Sequence, residues 1–266
     1  KKLLSQNNIP TICIARKNFP NYKNEQKIIT NDYSEKKLLK NLDGCSAFIH
    51  FVGIGRQKYN SDYISSNVNL TKKILNICKN LDIKKFIFNS GLGVSSKSST
   101  DYFISKYYAE QEIIDSKLDY TIFRPSYILG KDDYLTRSLK KQIKNKQIIL
   151  PGNGKFLMQP IHIDDACEIF LQAVSSPKYS KKILDLVGPN VITYKKLISQ
   201  LKFNKTKKIT LEDAYYNAIH DPNYVYGIDD LHILVGSFTG DFQKLKNISK
   251  ITFTNYIDAL KTSGLS

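Results

Sequence analysis

The chain lacks any apolar run approaching the ~20 residues that span a bilayer, so no integral membrane segment is expected. Nothing at its start reads as a secretory leader: Lys1-Lys2 is followed by only two leucines before the polar stretch 5–8. It opens on Lys rather than Met, which points to a natural start further upstream. Arginine is scarce. Of 40 Lys and Arg residues, only Arg16, Arg56, Arg124 and Arg137 are arginine. A nucleic-acid reader leans on Arg for bidentate contacts to bases and phosphates. The net charge of +16 is therefore read as solvated helix faces, with lysines in scattered pairs such as Lys72-Lys73 and Lys140-Lys141. No nucleic-acid partner is expected; the basic surface leaves room for peripheral or complex association. Cysteine is scarce too. Cys13, Cys45, Cys78 and Cys167 each lie in an apolar run, and none forms a CxxC metal clip. They read as buried thiols in a reducing cytoplasm, and no metal site is expected.

What is present is a strand–helix rhythm in an ordinary globular composition, 41% hydrophobic and 24% charged over 266 residues. Apolar runs predict strands over 9–15, 45–52, 84–89, 120–124, 148–150, 158–163 and 182–187. Helical spacing and caps predict helices over 1–6, 34–42, 60–81, 101–117, 134–145, 164–175, 194–201 and 253–262. In 60–81, for instance, Leu70, Ile74, Ile77 and Leu81 share one face. Asp164 is expected to cap its helix, with His162 a polar strand residue near a cleft rather than a metal ligand. Such alternation argues for an α/β fold, a parallel sheet with helices on both faces.

Chemistry is suggested by Tyr102-Phe103-Ile104-Ser105-Lys106. A Tyr at i and a Lys at i+4 share one helix face. An ammonium beside a phenol favours the phenolate and lowers the Tyr pKa, giving an acid/base that can exchange a proton while hydride moves. The same spacing occurs at Tyr33/Lys37 and Tyr127/Lys131. Only the Tyr102 pair starts a helix after a buried strand and a Ser/Gly loop.

Five segments in order resemble the short-chain dehydrogenase/reductase superfamily, in its extended or atypical branch. They are CSAFIHFVG (45–53), NVNLT (67–71), FIFNS (86–90) with YFISK (102–106), TIFRPSYILG (121–130) and QPIHIDDA (159–166). Within that branch the chain is similar to epimerase/dehydratase-like proteins and to the NAD(P)H-binding accessory subunit of respiratory complex I. The resemblance covers residues 9 to about 201, with the final segment only loosely similar.

The resemblance implies a Rossmann-like doubly wound parallel sheet (1–130 and 156–187) under a small mixed substrate-side lobe (131–155 and 188–266). It implies NADP as cofactor, with NAD the alternative, because Arg16 follows a strand where an acidic residue would grip the NAD ribose. Asp32 falls at the adenine contact. Phe51, Val52 and Gly53 run under the adenosine ribose. Asn89 and Ser90 lie beside the nicotinamide, and Pro125 and Ser126 touch it from the other side. Tyr102 is then the general acid/base and Lys106 its partner, in an oxidoreductase or epimerase/dehydratase acting on a small-molecule substrate. The rival is a non-catalytic NAD(P)H-binding regulator or accessory subunit. Two departures stand out. No GxxGxxG phosphate loop is present, and the first strand and glycine loop are read as absent from this chain. The family's catalytic Ser aligns with Gly91, so Ser90, Ser95 or Ser96 would have to substitute.

Overall fold

The computed structural model describes residues 1–55, 62–203 and 205–265. Helix α1 (Lys2–Gln6) leads into β1 (Thr11–Ala15), which pairs in parallel with β2 (Glu25–Ile29). Helix α2 (Glu35–Leu42) follows, then β3 (Ala47–His50), a π-helical turn (Ile64–Asn69) and α3 (Leu70–Asn80). Next come β4 (Lys85–Asn89), α4 (Asp101–Asp115) and β5 (Asp119–Pro125). The chain continues through β6 (Ile128–Leu129), α5 (Tyr134–Lys144), β7 (Ile148–Pro151), β8 (Leu157–Met158), β9 (Ile161–His162), α6 (Ile163–Ser175) and β10 (Lys182–Leu186). The main sheet has the order β10-β5-β4-β3, every pair parallel. This is the expected doubly wound architecture, with helices on both faces.

Alternation across β4 shows how the layers form. Phe86 and Phe88 join Ile77 and Cys78 of α3 and Ala109 and Ile113 of α4 on one face; Ile87 joins Ile169 and Ala173 of α6 on the other. Strand β3 is less buried than its apolar sequence suggests, because only one of its edges is paired. Its other edge and that of β1 line a cleft of about 1120 Å³ between the two sheets. Leu70 and Ile74 of α3 and Val174 of α6 close it from the two helical layers. The cleft lies where the resemblance implies one more central strand.

The remaining elements are β11 (Ile192–Thr193), α7 (Tyr194–Ser199), β12 (Thr206–Ile209), α8 (Leu211–His220), α9 (Ile228–Val235), α10 (Phe242–Ser249) and α11 (Tyr256–Ser263). β12 pairs with β7 in parallel and β11 with β8 antiparallel. A separate apolar core gathers Leu139, Ile148, Leu150, Tyr194, Leu197 and Leu260.

Several expectations change. Strand β2 has a mixed edge sequence, EQKII, that gives no apolar run. Pro160 splits the strand expected over 158–163 into β8 and β9. His162, not Asp164, is the N-cap of α6; Asp164 sits in the first turn, where its charge suits the helix dipole. Cys167 is exposed on the outer face of α6, while Cys78 is buried. Arg56 and the helix start at Asn60 lie outside the described residues.

Candidate active site

Parallel strands bring their carboxyl ends to one edge of the sheet, and ligands of such sheets bind there. At this edge stand Gly53 beyond β3, Asn89 and Ser90 at the end of β4, and Pro125 and Ser126 at the end of β5. Helix α4 lies against this edge. Thr100 caps it by accepting the Phe103 amide, and Tyr102 and Lys106 fall on successive turns of one face.

Lys106 is buried. Its Nζ donates to the Asn89 carbonyl at 3.1 Å and lies 4.8 Å from the centre of the Phe88 ring. A Cβ on Gly53 would stand 3.1 Å from that Nζ and 2.8 Å from Asn67 Oδ1, so only glycine fits at this approach. Asn67 clamps the loop after β3: its Oδ1 accepts the Ile54 amide (2.9 Å), and its Nδ2 reaches the Ile54 carbonyl (3.3 Å) and Ser105 Oγ (3.0 Å). It stands on the π-helical turn, an irregularity that recurs at functional sites.

The expected lowering of the Tyr102 pKa is reversed. Burial, and after it the Asp229 carboxylate, pushes the phenol up to about 12. The Lys106 ammonium is turned instead toward the strand ends. Burial pushes its own pKa down to about 8, opposed by Glu110.

Ser90 Oγ donates to Glu110 Oε1 at 2.5 Å rather than serving Tyr102. Glu110 is fully buried and also grips Arg124 twice, Nε–Oε1 at 3.0 Å and Nη2–Oε2 at 2.5 Å. Ser95 and Ser96 are exposed on the loop. A Cβ on Gly91 would lie 3.4 Å from Tyr102 Oη.

The other expected residues are placed more loosely. Arg16 is exposed just past β1. Asp32 is exposed, and its carboxylate accepts the Ser34 amide (2.7 Å) and hydroxyl (2.9 Å), which hold its pKa below the usual range. Phe51 is exposed and rests on Phe170, ring centres 4.9 Å apart; Val52 is half-buried. Ser126 donates its amide to Leu186 (3.1 Å) and accepts the Gln159 amide (3.4 Å), tying β5 to the chain beyond.

Sequence reasoning missed several residues that surround Tyr102 and Lys106. Glu110 is one further turn along the Tyr102/Lys106 face, a signal that was available. Tyr63, Asp229 and Phe238 carried none, because they arrive from distant parts of the chain. Tyr63 packs edge-on against Tyr102, ring centres 5.9 Å apart, and its hydroxyl donates to Asp229. Phe238 packs on Phe103 (5.2 Å) and fills the space above Gly93, whose φ of +99° and absent side chain permit the approach.

Comparison with known proteins agrees with this architecture. Over 153 residues the chain is 26% identical to subunit 9 of the mitochondrial NADH dehydrogenase (ubiquinone) 1 alpha subcomplex of Dictyostelium discoideum, matching 58% of this chain and 42% of that protein. The Mus musculus subunit of the same name is 27% identical over 143 residues, 53% of this chain and 38% of that one. The match thus spans about two fifths of these curated relatives. Among solved structures, a nucleoside-diphosphate-sugar epimerase from Staphylococcus aureus superposes with a TM-score of 0.77 at 14% identity, covering 98% of this chain and 94% of that one. MoeE5 in complex with UDP-glucuronic acid and NAD gives 0.77 at 14% identity, covering 98% and 91%. At such identities the likeness is one of fold. The family model described as NAD(P)H-binding matches residues 1–148, more than half of the 266, and the chain belongs to that NAD(P)H-binding family.

Proposed function

We propose that the protein is an NAD(P)H-dependent oxidoreductase or epimerase/dehydratase-like enzyme in which Tyr102 moves a proton and Lys106 holds the nicotinamide ribose. The observation that carries this reading is the convergence of Tyr102, Lys106 and Asn67 on the bare backbone of Gly53 and Gly91 at the carboxyl ends of the strands. The residues present fit the cofactor: Lys106 Nζ stands close over the bare backbone of Gly53, and the buried Asn89 Oδ1 has no hydrogen-bond partner among the described residues. Gly53, Phe51 and Val52 would line the adenosine ribose, and Asn89, Ser90, Pro125 and Ser126 the nicotinamide. Asp32 would face the adenine.

The cofactor supplies or takes up hydride. In the reducing direction Tyr102 Oη gives its proton to the substrate oxygen as the carbonyl carbon gains hydride, and solvent restores the phenol proton. Lys106, bonded to the Asn89 carbonyl, is held ready for the ribose hydroxyls. Arg16 supports NADP over NAD, through a charged hydrogen bond to a 2′-phosphate worth ~1–3 kcal/mol. The substrate lobe is read as 131–155 with 188–266.

A second reading is favoured by Gly91, which stands where the resemblance aligns a catalytic serine, and by relatives named as NADH dehydrogenase subunits. It makes the protein a non-catalytic NAD(P)H-binding member of a larger complex. No helix among the described residues is long and apolar enough to cross a membrane. It would also replace the cytoplasmic placement read from the cysteines, since those relatives are named mitochondrial.

Native mass spectrometry of the full-length protein tests the cofactor directly, because the 266-residue chain is read as lacking the phosphate-binding loop. Retained NADP is the expected result, and Arg16→Ala should abolish the preference over NAD. Protein that binds neither nucleotide would sink the reading. Bound cofactor without turnover of quinones, sugar nucleotides or ketones would leave the accessory role.

A further inference from the structure

Far from Tyr102 in sequence, the basic charge of the chain meets unpaired backbone. Strand β12 pairs with β7 along one edge; among the described residues no strand lies on its other edge. In the parallel register the Lys205 carbonyl accepts the Ile148 amide at 3.0 Å, and the Ile209 carbonyl accepts the Gly152 amide at 2.8 Å. Backbone groups alternate in direction along a strand, so Thr206 and Lys208 turn their N–H and C=O groups away from β7. Both residues are exposed, as is Lys207 between them. Lys202 and Lys205 precede them and are exposed as well. Past the end of the strand a hollow of about 660 Å³ opens between Lys207, Lys208 and Thr210 on one side and Asp213 and Asn217 of α8 on the other. One turn on from Asp213, Tyr216 is 63% exposed, the most exposed large apolar side chain among the described residues.

We propose that the free edge of β12 is a docking site for an acidic segment of a partner protein, which adds to the sheet as an extended strand. Thr206 and Lys208 supply the backbone pairing, Lys205, Lys207 and Lys208 meet the carboxylates, and the hollow with Tyr216 receives a side chain beyond the strand end. Charge selects the occupant. Lysines on an exposed edge repel a like strand, so a second copy of β12 is disfavoured, while an acidic strand gains from the same charges. A lipid surface or a nucleic acid offers no alternating N–H and C=O groups and leaves the ladder open. The proposal does not depend on the role of Tyr102.

The probe is a blocked seven-residue peptide of alternating glutamate and valine, titrated into the full-length protein at low salt. Two controls separate strand addition from simple attraction. The same peptide methylated on every backbone nitrogen keeps its charge and loses its donors, and a lysine–valine peptide reverses the charge. Both should bind about tenfold more weakly or worse. Amide exchange at Thr206 and Lys208 should slow by about tenfold or more with the acidic peptide bound. Joint Lys207→Glu and Lys208→Glu substitution should reverse the preference toward the lysine peptide, with the melting temperature unchanged because both side chains are exposed. Thr206→Pro removes one outward N–H at the first strand position, where proline is tolerated, and should weaken binding by about threefold or more. The proposal is overturned if the acidic peptide does not bind, if the methylated peptide binds as well, or if the two amides exchange as fast with peptide as without. It is equally overturned if the double variant keeps the original preference, or if the protein binds phosphatidylserine vesicles and not the peptide.

Discussion

The Tyr102 hydroxyl lies 3.4 Å from the point where a Cβ on Gly91 would stand. That is ordinary van der Waals distance, so the strand end already has room for a side chain aimed at the phenol. Gly91→Ser would place a second hydroxyl where charge develops on a substrate oxygen. We expect it to raise NADPH-dependent turnover by about tenfold or more, with the melting temperature nearly unchanged. A large drop in melting temperature, or no gain in a folded variant, would show that Gly91 is not the position limiting catalysis.

Tyr102→Phe removes one oxygen and keeps the ring against Tyr63 and Phe103. Turnover should fall by ~10²–10⁴-fold while cofactor affinity hardly moves. Lys106→Ala should lower both, because its ammonium is the group proposed to hold the ribose. Steady-state kinetics and fluorescence titration of NADPH separate the two outcomes. Equal small effects from both variants would mark the pair as packing residues.

Nucleotide affinity should depend on pH through Lys106, whose pKa is pushed down to about 8 by burial. Below that value the lysine is charged and can hold the ribose and the anionic cofactor. Affinity should therefore fall as pH rises through about 8. Stability runs the other way. A lysine whose folded pKa lies below its unfolded value binds fewer protons when folded, so its burial penalty is largest below about 8 and fades as pH approaches the ordinary lysine value. Binding isotherms and melts across pH 7–10 check both signs, with Lys106→Met as the control that should flatten them.

Glu110→Ala should cost about 3–5 kcal/mol of stability, because it strips Arg124 of its carboxylate and orphans Ser90 Oγ. Urea unfolding reads the loss. Glu110→Gln, which can still accept from Ser90, should cost less. If both variants melt like the wild type, the network does not hold the end of β4.

The sequence made the sheet legible because β4 and β5, paired on both sides, carry apolar residues on both faces, which leaves little ambiguity. β2 escaped notice because an edge strand tolerates Glu25, Gln26 and Lys27. The Tyr102/Lys106 face was legible from spacing alone. What spacing could not give was the direction in which Lys106 turns, since that depends on the Asn89 carbonyl and the Phe88 ring. Nor could it give Asp229, which meets Tyr63 across 166 positions of chain. Local pattern encodes the face a residue lies on; the distant partners that set its charge come from tertiary folding.

The cleft between β1 and β3 has a consequence for how the molecule breathes. In a parallel sheet the innermost strands ordinarily hold their amide hydrogens longest. Here the slow core is displaced toward β4 and β5, each paired on both sides, while the cleft-facing amides of β1 and β3 have no ladder partner across it. Deuterium should therefore enter through the middle of the fold rather than from its rim. The unit of α1, β1, β2 and α2 should also detach from the rest at a lower free energy than global unfolding. Arg16 and Asp32, the residues proposed to meet the adenosine end of the cofactor, ride on that unit. Cofactor bridging the cleft would couple the two halves, and its main effect on exchange would be felt in β1 and β2, not at Tyr102.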